Sequence, residues 1–466
     1  FGIENGKYSA TVADVSRLTD AAYPLRVHKV FRRFRCLDWP KNLSLTALAA
    51  LFRASLISLT RNTFRFTIWR SIIPRHVTGH QGGKNMVLFG ADRVAEYAHL
   101  FIGRTALLTG PSGRTSSNEP TFDALKRCCD LRLLLAPEHG VRGDKPAGAV
   151  FADEVDEDTG LTVRSLYTKE SKRLSADTLA LFDTLVYDVA DVGCRYYTFL
   201  TSLRYCMEDC AAAGKRLVVL DRPNPLGDRV EGGLLREEAA SFVGGYPIPV
   251  CYGLTCGELA VMMNEELGCK CDLHIVPCAG LTRDMTFRDW EHYWVMPSPN
   301  IPRYETALLY PGTCLIEGTN CSEGRGTADP FAIIGAPFIK AEAFSRAFNA
   351  LGCPGVESTP VYFSPTTSKH EGTLCGGIHL HITDETLLQP VALGVKLLDL
   401  LRKMYPEDFH FLPPVREDGK PFLSLLAGHR DFERLDWDAE SLLARYRKES
   451  EDFRQRKAPY ERYPRG

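Results

Sequence analysis

Short apolar runs alternate with amphipathic segments between residues 103 and 221, and this alternation constrains the fold more than any other feature. The strand-like runs lie at 103–109, 131–136, 163–167, 184–191 and 216–221. Helix-like segments separate them at 118–130, 175–182 and 195–213. Strand, helix and strand repeated in this way predict an α/β fold with a parallel, doubly wound sheet.

Local signals predict where several helices begin and end. Asn118 is the predicted N-cap of the first helix. The third helix places apolar residues at helical spacing, namely Phe199, Leu203, Cys206 and Cys210. TCGE (255–258) is a capping box that predicts a further helix to about Leu267, closed by Gly268.

Three of the predicted strands end in polar clusters. Because the carboxyl ends of parallel strands meet at one edge of a sheet, and ligands bind there in open α/β folds, we expect the clusters to converge into a site. Neighbouring carboxylates and cations also push carboxyl pKa values apart, which suits acid–base chemistry. The clusters are Glu138/His139/Arg142, Asp188/Asp191/Arg195 and Asp221/Arg222/Asn224.

Each cluster also has a purely structural interpretation. Asp188 and Asp221 suit helix caps or loop anchors with an arginine as partner. Tyr196 and Tyr197 offer a sugar a stacking face or a hydroxyl, but at helical spacing they equally suit the core. His379 and His381 share one face of a predicted strand (376–384) as a metal-ligand pair or as a half-exposed strand face.

Composition and missing motifs exclude several classes of function. Hydrophobic residues make up 44% of the chain, charged residues 24%, and the net charge is −2, so nucleic acid is not an expected partner. The sequence contains no GxxxxGK[ST], no GxGxxG after a strand and no GxSxG. Its 15 cysteines form no CxxC, which favours reduced thiols in a cytoplasmic protein over a zinc site. Secretion or periplasmic export is the alternative.

Residues 1–85 differ from the rest. They carry 14 Lys and Arg against 4 Asp and Glu, and the first methionine is Met86. We expect an atypical basic N-terminal extension that is disordered or not native, although a tail contacting a polyanion has the same composition. The apolar run at 45–59 is interrupted by Arg53 and is too short to span a membrane.

A turn-rich region follows residue 296. Residues 296–337 are dense in Gly and Pro between apolar runs, which is typical of binding loops on a scaffold, and a helix is predicted at 390–405. We therefore predict domains at 86–296 and 297–466.

Six segments of the chain are distinctive when taken together: APEHGVRGD (136–144), VYDVADVGCRYYT (186–198), VVLDRPNPLGD (218–228), SFVGGYPIPVCYGLTCGELA (241–260), PSPNIP (297–302) and YPGTCLIEGTNCSEGRGTADPF (310–331). In sequence and in order they resemble the NamZ-like exo-β-N-acetylmuramidases, a family of peptidoglycan-recycling glycosidases. In the loop after the first strand the family usually has TNQTG, whereas this chain has TGPSG (109–113).

The resemblance implies a Rossmann-like N-terminal catalytic domain, a smaller α/β C-terminal domain and an active-site cleft between them. It implies release of N-acetylmuramic acid from the non-reducing end of MurNAc–GlcNAc-type saccharides in cell-wall turnover, with Glu138 as the catalytic glutamate. No metal or organic cofactor is expected. A monomer or a homodimer fits this activity.

Roles for the other residues follow as hypotheses. Glu138 is the general acid, and Asp188 or Asp191 is the second carboxylate, unless the substrate's own acetamido group attacks. The lactyl carboxylate needs a cation, for which Arg142, Arg195, Arg222 and Arg325 are the candidates. Hydrogen bonds from the second domain are expected from Asn300, Thr319, Asn320 and Thr327.

Two other classes of function remain open. A muramyl-sugar-binding protein would use the same cleft without hydrolysis. A metal-dependent hydrolase would use His139, His379 and His381.

Overall fold

A computed structural model describes residues 86–145, 151–167, 171–416, 419–434 and 436–466. It also describes the backbone of two short antiparallel strands, β1 (Gly2–Glu4) and β2 (Lys7–Ser9). The prediction for the rest of residues 1–85 lies outside the described residues. Lys84–Gly466 is one compact unit.

The unit contains a seven-stranded sheet in which every neighbouring pair is parallel except the last, β6 with β5. Its spatial order is β11-β8-β7-β3-β4-β6-β5. The strands are β3 (Arg104–Thr109), β4 (Asp130–Ala136), β5 (Glu154–Val155), β6 (Thr162–Ser165), β7 (Thr184–Asp188), β8 (Arg216–Leu220) and β11 (Asp272–Val276). The predicted α/β class is confirmed.

The strand order creates a switch point beside β3. From β3 the chain builds outward through β4 and β6, then returns to place β7 on the other side of β3 and continues to β8 and β11. Counted from β6 to β11, this is the 3-2-1-4-5-6 order of Rossmann folds, in which ligands bind where the direction reverses. Register pairs Thr109 of β3 with Asp188 of β7 at that point.

Helices cover both faces of the sheet, which explains why its strands read as continuous apolar runs. Leu107 and Val186 pack on one face with Phe122 of α1 (Thr121–Lys126). Leu108 and Tyr187 pack on the other with α3 (Phe199–Ala212) and α4 (Cys256–Glu266). The short helix α2 (Ala176–Leu179) is capped by the Ser175 hydroxyl.

The capping box of α4 is confirmed, since Thr255 and Glu258 bond each other's backbone N–H. The predicted cap of α1 is wrong. Pro120 occupies the N-cap position, and Asn118 adopts a left-handed φ of 68° two residues earlier. Proline fixes a φ compatible with helix entry but has no side-chain acceptor, and its carbonyl accepts from the Asp123 N–H at 3.0 Å.

The remaining elements surround a three-stranded antiparallel sheet of order β12-β14-β13. Its strands are β12 (Ile333–Ala336), β13 (Val356–Phe363) and β14 (Cys375–Ile382), and a separate pair is formed by β9 (Val230–Glu231) and β10 (Cys251–Tyr252). The helices are α5 (Tyr304–Thr313), α6 (Ala341–Ala350), α7 (Pro390–Met404), α8 (Phe422–Ala427) and α9 (Ala439–Lys457).

The C-terminal tail returns to the large sheet. Tyr463 donates its hydroxyl to Asp221 at 2.6 Å, beyond the end of β8, and the Arg283 N–H donates to the Pro464 carbonyl at 2.9 Å. Among the described helices, none has the length and apolar character needed to cross a membrane.

Candidate active site at the carboxyl edge of the sheet

An open cleft lies at the switch point, beyond β3 and β7. Its empty volume, including the mouth, is about 660 Å³. One wall is polar and comes from the loop after β3, with Ser112, Arg114, Thr115 and Ser116. A second part of the lining is aromatic and comes from Phe89 and the segment 287–295, with Phe287, Trp290, His292, Tyr293 and Trp294.

Asp188 and Arg222 form a buried ion pair beside this cleft. Asp188 Oδ1 accepts from Arg222 Nε at 2.6 Å, and Oδ2 accepts from Nη2 at 3.0 Å. Nη2 also donates to the Arg114 carbonyl at 2.7 Å, and the guanidinium lies over the Phe89 ring at 5.2 Å. Asp188 therefore holds Arg222 in the cleft wall, and its two oxygens are already engaged in the pair.

Asp191 lies in the turn after β7 and also lines the cleft. Its Oδ1 accepts from the Gly193 N–H and from the Tyr252 hydroxyl, both at 2.5 Å. Oδ2 is buried and has no hydrogen-bond partner among the described residues. Burial raises the pKa of Asp191 to about 7, so this carboxyl titrates near neutrality.

Gly193 makes the Asp191 turn possible. It has a φ of 76°, and a Cβ built on it would lie 2.3 Å from Asn224 Oδ1. Only glycine tolerates both the left-handed backbone and this contact. Asn224 itself accepts from the Leu226 N–H and donates to the Leu254 carbonyl. Because its side chain is engaged by backbone groups, its effect on the site is to support the turn that carries Asp191.

Glu138 follows Pro137 at the end of β4 and is half-buried. Its loop packs beside the loop after β3, since Pro137 lies next to Gly110 and Gly143 next to Pro111. The buried hydroxyl of Tyr197 lies within electrostatic range of both Asp191 and Glu138. Burial and the charges of these two carboxylates raise the pKa of Tyr197. The structure thus brings Glu138 and Asp191 to one edge of the sheet.

Other predicted residues have structural partners. Arg142 binds Asp156 at 2.7 Å and Asp158 at 2.9 Å, and His139 Nδ1 lies 3.4 Å from the Lys145 carbonyl oxygen. These contacts stabilise the loop that carries Glu138.

Arg195 is not brought to the cleft. Its buried guanidinium donates to four backbone carbonyls, at 2.7–2.9 Å: Gly233, Ile248, Leu426 and Ala427. These bonds occupy the donors that would hold a carboxylate, so the geometry does not support a substrate contact.

Tyr196 and Asp221 are also enclosed by protein. The Tyr196 hydroxyl donates to the Pro311 carbonyl at 2.5 Å. Asp221 accepts from the Gly257 N–H at 2.8 Å, the Thr255 hydroxyl at 2.8 Å and Tyr463. Asp221 therefore anchors the start of α4, in agreement with its structural interpretation.

The predicted residues of the second region mainly hold their own loops. Asn320 pairs with the backbone of Asp408 and His410, while Thr319 and Thr327 donate to the Ile316 and Gly324 carbonyls. Asn300 is partly exposed.

Arg325 belongs to a charged network away from the cleft lining. Its Nη2 donates to Glu317 at 2.5 Å, and its Nε lies 3.3 Å from Glu323, which also pairs with Lys369 at 2.9 Å. Both donors that would form a bidentate contact with the lactyl carboxylate are therefore engaged by acidic neighbours.

His379 and His381 do share a strand face, with ring centroids 4.4 Å apart, but His379 bonds Asp329 at 2.7 Å and His381 bonds Thr359 at 2.8 Å. Within the described ranges, no group of three or more His, Cys, Asp or Glu residues has an arrangement that would hold a metal ion.

Sequence reasoning did not find Arg114 or the aromatic wall. The available signal was the density of aromatic residues in DWEHYWV (289–295), just before the predicted domain boundary.

Comparison with known proteins gives consistent matches. The profile of exo-β-N-acetylmuramidase NamZ, N-terminal, matches residues 105–305, and that of exo-β-N-acetylmuramidase NamZ, C-terminal, matches residues 308–463. The peptidoglycan β-N-acetylmuramidase NamZ of Bacillus subtilis (strain 168) is 45% identical over 312 residues, which are 66% of this chain and 75% of that protein.

Two crystal structures of DUF1343 family proteins from Bacteroides fragilis NCTC 9343 are also similar. One is 31% identical with a TM-score of 0.73, covering 81% of this chain and 99% of the other. The second is 29% identical with a TM-score of 0.64, covering 82% and 100%.

Proposed function

The chain belongs to the NamZ family of exo-β-N-acetylmuramidases, and we propose that its reaction takes place in the cleft beyond β3 and β7. The enzyme is a glycoside hydrolase that releases N-acetylmuramic acid from the non-reducing end of peptidoglycan-derived saccharides. We assign residues 86–296 to the catalytic domain, which supplies the cleft lining up to Val295, and residues 297–466 to a second domain that adds Pro297. The role of the enzyme is in cell-wall turnover.

The observation that carries the proposal is that two carboxyl groups, Glu138 and Asp191, follow the carboxyl ends of neighbouring parts of one sheet edge and both raise the pKa of the buried Tyr197 hydroxyl. Glycoside cleavage needs one carboxylic acid to protonate the leaving oxygen and a second group to stabilise or attack the oxocarbenium-like centre. Glu138 is the general acid. Asp191 is the second carboxyl, because Asp188 is engaged by Arg222.

Asp191 suits either of two routes. As a carboxylate it stabilises or attacks the anomeric carbon directly. Alternatively it orients the substrate's 2-acetamido group, which then attacks as an internal nucleophile. The anomer released first, followed by NMR, decides between inversion and retention, and an inverted product is incompatible with acetamido assistance and with direct attack by Asp191.

Arg222 is the preferred partner of the lactyl carboxylate. Among Arg142, Arg195, Arg222 and Arg325 it is the one that lines the cleft. Asp188 engages Nε and Nη2 of Arg222, so we propose that the remaining nitrogen, Nη1, meets the lactyl carboxylate as a single charged donor. The aromatic wall offers an apolar face to a sugar ring.

Replacing Glu138 by Gln tests the assignment. Removing a general acid costs roughly 10²- to 10⁴-fold in turnover. We expect that loss for E138Q on saccharides ending in MurNAc, with an unchanged circular dichroism spectrum and melting temperature. Glu407→Gln, an exposed glutamate outside the cleft lining, is the matched control. Near-normal rates of E138Q would exclude Glu138 as the acid.

Two rival functions have direct tests. A binding protein would hold a chromogenic muramide without cleaving it. A metal-dependent hydrolase using His139, His379 and His381 would lose activity in a chelator, whereas we expect full activity.

We further propose a cytoplasmic enzyme that acts as a monomer or homodimer, with no nucleic-acid partner. Supporting the compartment, the cysteines of the described residues are free thiols.

A further inference from the structure

The mouth of the cleft carries an exposed aromatic ring, Tyr293. This side chain is 84% exposed, against 56% for Tyr362, the other exposed tyrosine of the described residues. Large aromatic side chains usually bury most of their surface. An aromatic ring held in water at the edge of a binding cleft is therefore a candidate contact for a ligand.

The residues on either side of Tyr293 are firmly held. His292 Nε2 lies 2.8 Å from the Val87 carbonyl oxygen, and its ring packs edge-on against Phe89 at 4.8 Å. Trp294 donates its indole N–H to the Ile301 carbonyl at 3.1 Å and packs edge-on against Phe287 at 5.0 Å. Tyr293 thus projects from a fixed support.

The backbone before Tyr293 is strained. Glu291 adopts a φ of 59°, a left-handed conformation that side chains other than glycine rarely take. Such strain persists only where surrounding contacts maintain it, and it is frequent at ligand-binding sites. Here the reversal at Glu291 turns His292, Tyr293 and Trp294 toward the cleft, which all three line.

The exo-acting reaction determines which part of the substrate reaches the mouth of the cleft, where Tyr293 lies. The terminal N-acetylmuramic acid occupies the cleft, so everything beyond the scissile bond leaves through the mouth. We propose that Tyr293 is a specificity-determining residue that stacks on the pyranose ring immediately beyond the scissile bond. This inference rests on the proposed function, and it adds a contact to the leaving group that the catalytic assignment does not require.

Two substrates that differ only beyond the scissile bond test this role. The disaccharide MurNAc–GlcNAc has the second ring, whereas the β-fluoride of N-acetylmuramic acid has no ring to stack. Losing one stacked aromatic contact corresponds to about a tenfold loss of affinity. For Tyr293→Ala we expect kcat/KM on the disaccharide to fall about tenfold, mainly through a higher KM, and to stay unchanged on the fluoride.

Two further variants support the comparison. Tyr293→Phe keeps the ring and should lose much less kcat/KM on the disaccharide than Tyr293→Ala does. Tyr362→Ala removes an exposed tyrosine on β13, outside the cleft lining, and should also leave both unchanged.

Two results would overturn the inference while leaving the proposed function intact. One is an equal loss of kcat/KM for Tyr293→Ala on both substrates, which would mean that the ring shapes the cleft. The other is no loss of kcat/KM on either substrate. A wild-type protein inactive on both substrates would instead overturn the proposed function and this inference with it.

Discussion

At the scale of single residues, burial gives two neighbouring aspartates different chemistry. Asp188 is fully buried, yet its charge is compensated by Arg222. Asp191 is half-buried with its Oδ2 atom inaccessible, its partners are a tyrosine hydroxyl and a backbone N–H, and no cation is paired with it in the described structure. A buried carboxyl without a cation favours the protonated form, so its pKa rises to about 7.

This difference predicts a pH-dependent stability for Asp191→Asn. The folded pKa, about 7, lies above the ordinary value of 3.8 that the unfolded chain should show. Stabilisation from the bound proton is therefore complete below about pH 4 and is lost as pH rises through 7. Asparagine does not titrate. We expect the stability of D191N relative to wild type, from urea unfolding, to improve by about 3 kcal/mol between pH 5 and pH 9.

The control is Asp438→Asn. Asp438 caps α9, and the Ser441 N–H lowers the pKa of its carboxyl below 3.8, so it stays ionised over this range. Asp438→Asn should therefore change the unfolding free energy by the same amount at pH 5 and at pH 9. If the stability of D191N relative to wild type were also the same at both pH values, Asp191 would be ionised throughout this range.

Residue roles were the least predictable part of the sequence. Glu138 and Asp191 could be named as candidates from the sequence because each lies in a local motif that follows a predicted strand. Arg195 follows the same pattern as Arg222, yet its guanidinium binds carbonyls that lie up to 232 positions away in the chain. No local signal carries that information, so sequence reasoning could not decide which arginine faces the cleft.

At the scale of elements, the strand–helix alternation and the capping box of α4 were predictable because they depend on neighbouring residues only. The turn after β7 could not be predicted from neighbouring residues in the same way. Its conformation depends on Gly193, and the close neighbour of Gly193, Asn224, comes from the loop after β8. The aromatic wall was likewise missed because its assembly from Phe89 and residues 287–295 requires the folded chain.

The Gly193 turn predicts a loss of activity that exceeds the loss of stability. Alanine there has to adopt a φ of 76° and also approach Asn224 Oδ1, which should displace the neighbouring Asp191. Gly214→Ala is the matched control, because Gly214 has a φ of 62° with no heavy atom within 4 Å of a built Cβ.

We expect G214A to cost about 1 kcal/mol in unfolding free energy and to retain its activity. G193A should cost more and lower kcat at least about tenfold, since misplacing a catalytic group by 1 Å is expensive. Equal activity of the two variants would show that the turn does not position Asp191.

At the scale of the whole molecule, the two family segments are not independent. The C-terminal tail bonds Asp221 through Tyr463, and Lys457 of α9 is buried against Asp228, where its ammonium donates to the carboxylate at 2.5 Å. Arg195 adds a third connection, because its Nη1 binds carbonyls at 233 and 248 while Nη2 binds carbonyls at 426 and 427. The cleft is therefore built on one connected unit.

Arg195→Lys tests this connection directly. Lysine keeps the charge but offers one ammonium in place of a planar fork, so it cannot satisfy four carbonyls in two directions. Leaving buried polar groups unpaired costs about 3 kcal/mol, and we expect the unfolding free energy to fall by that amount. Urea unfolding followed by tryptophan fluorescence measures it. Arg434→Lys, at an exposed pair with Asp436, should leave the curve unchanged. If R195K unfolded like wild type, the four bonds of Arg195 would not contribute to holding the two segments together.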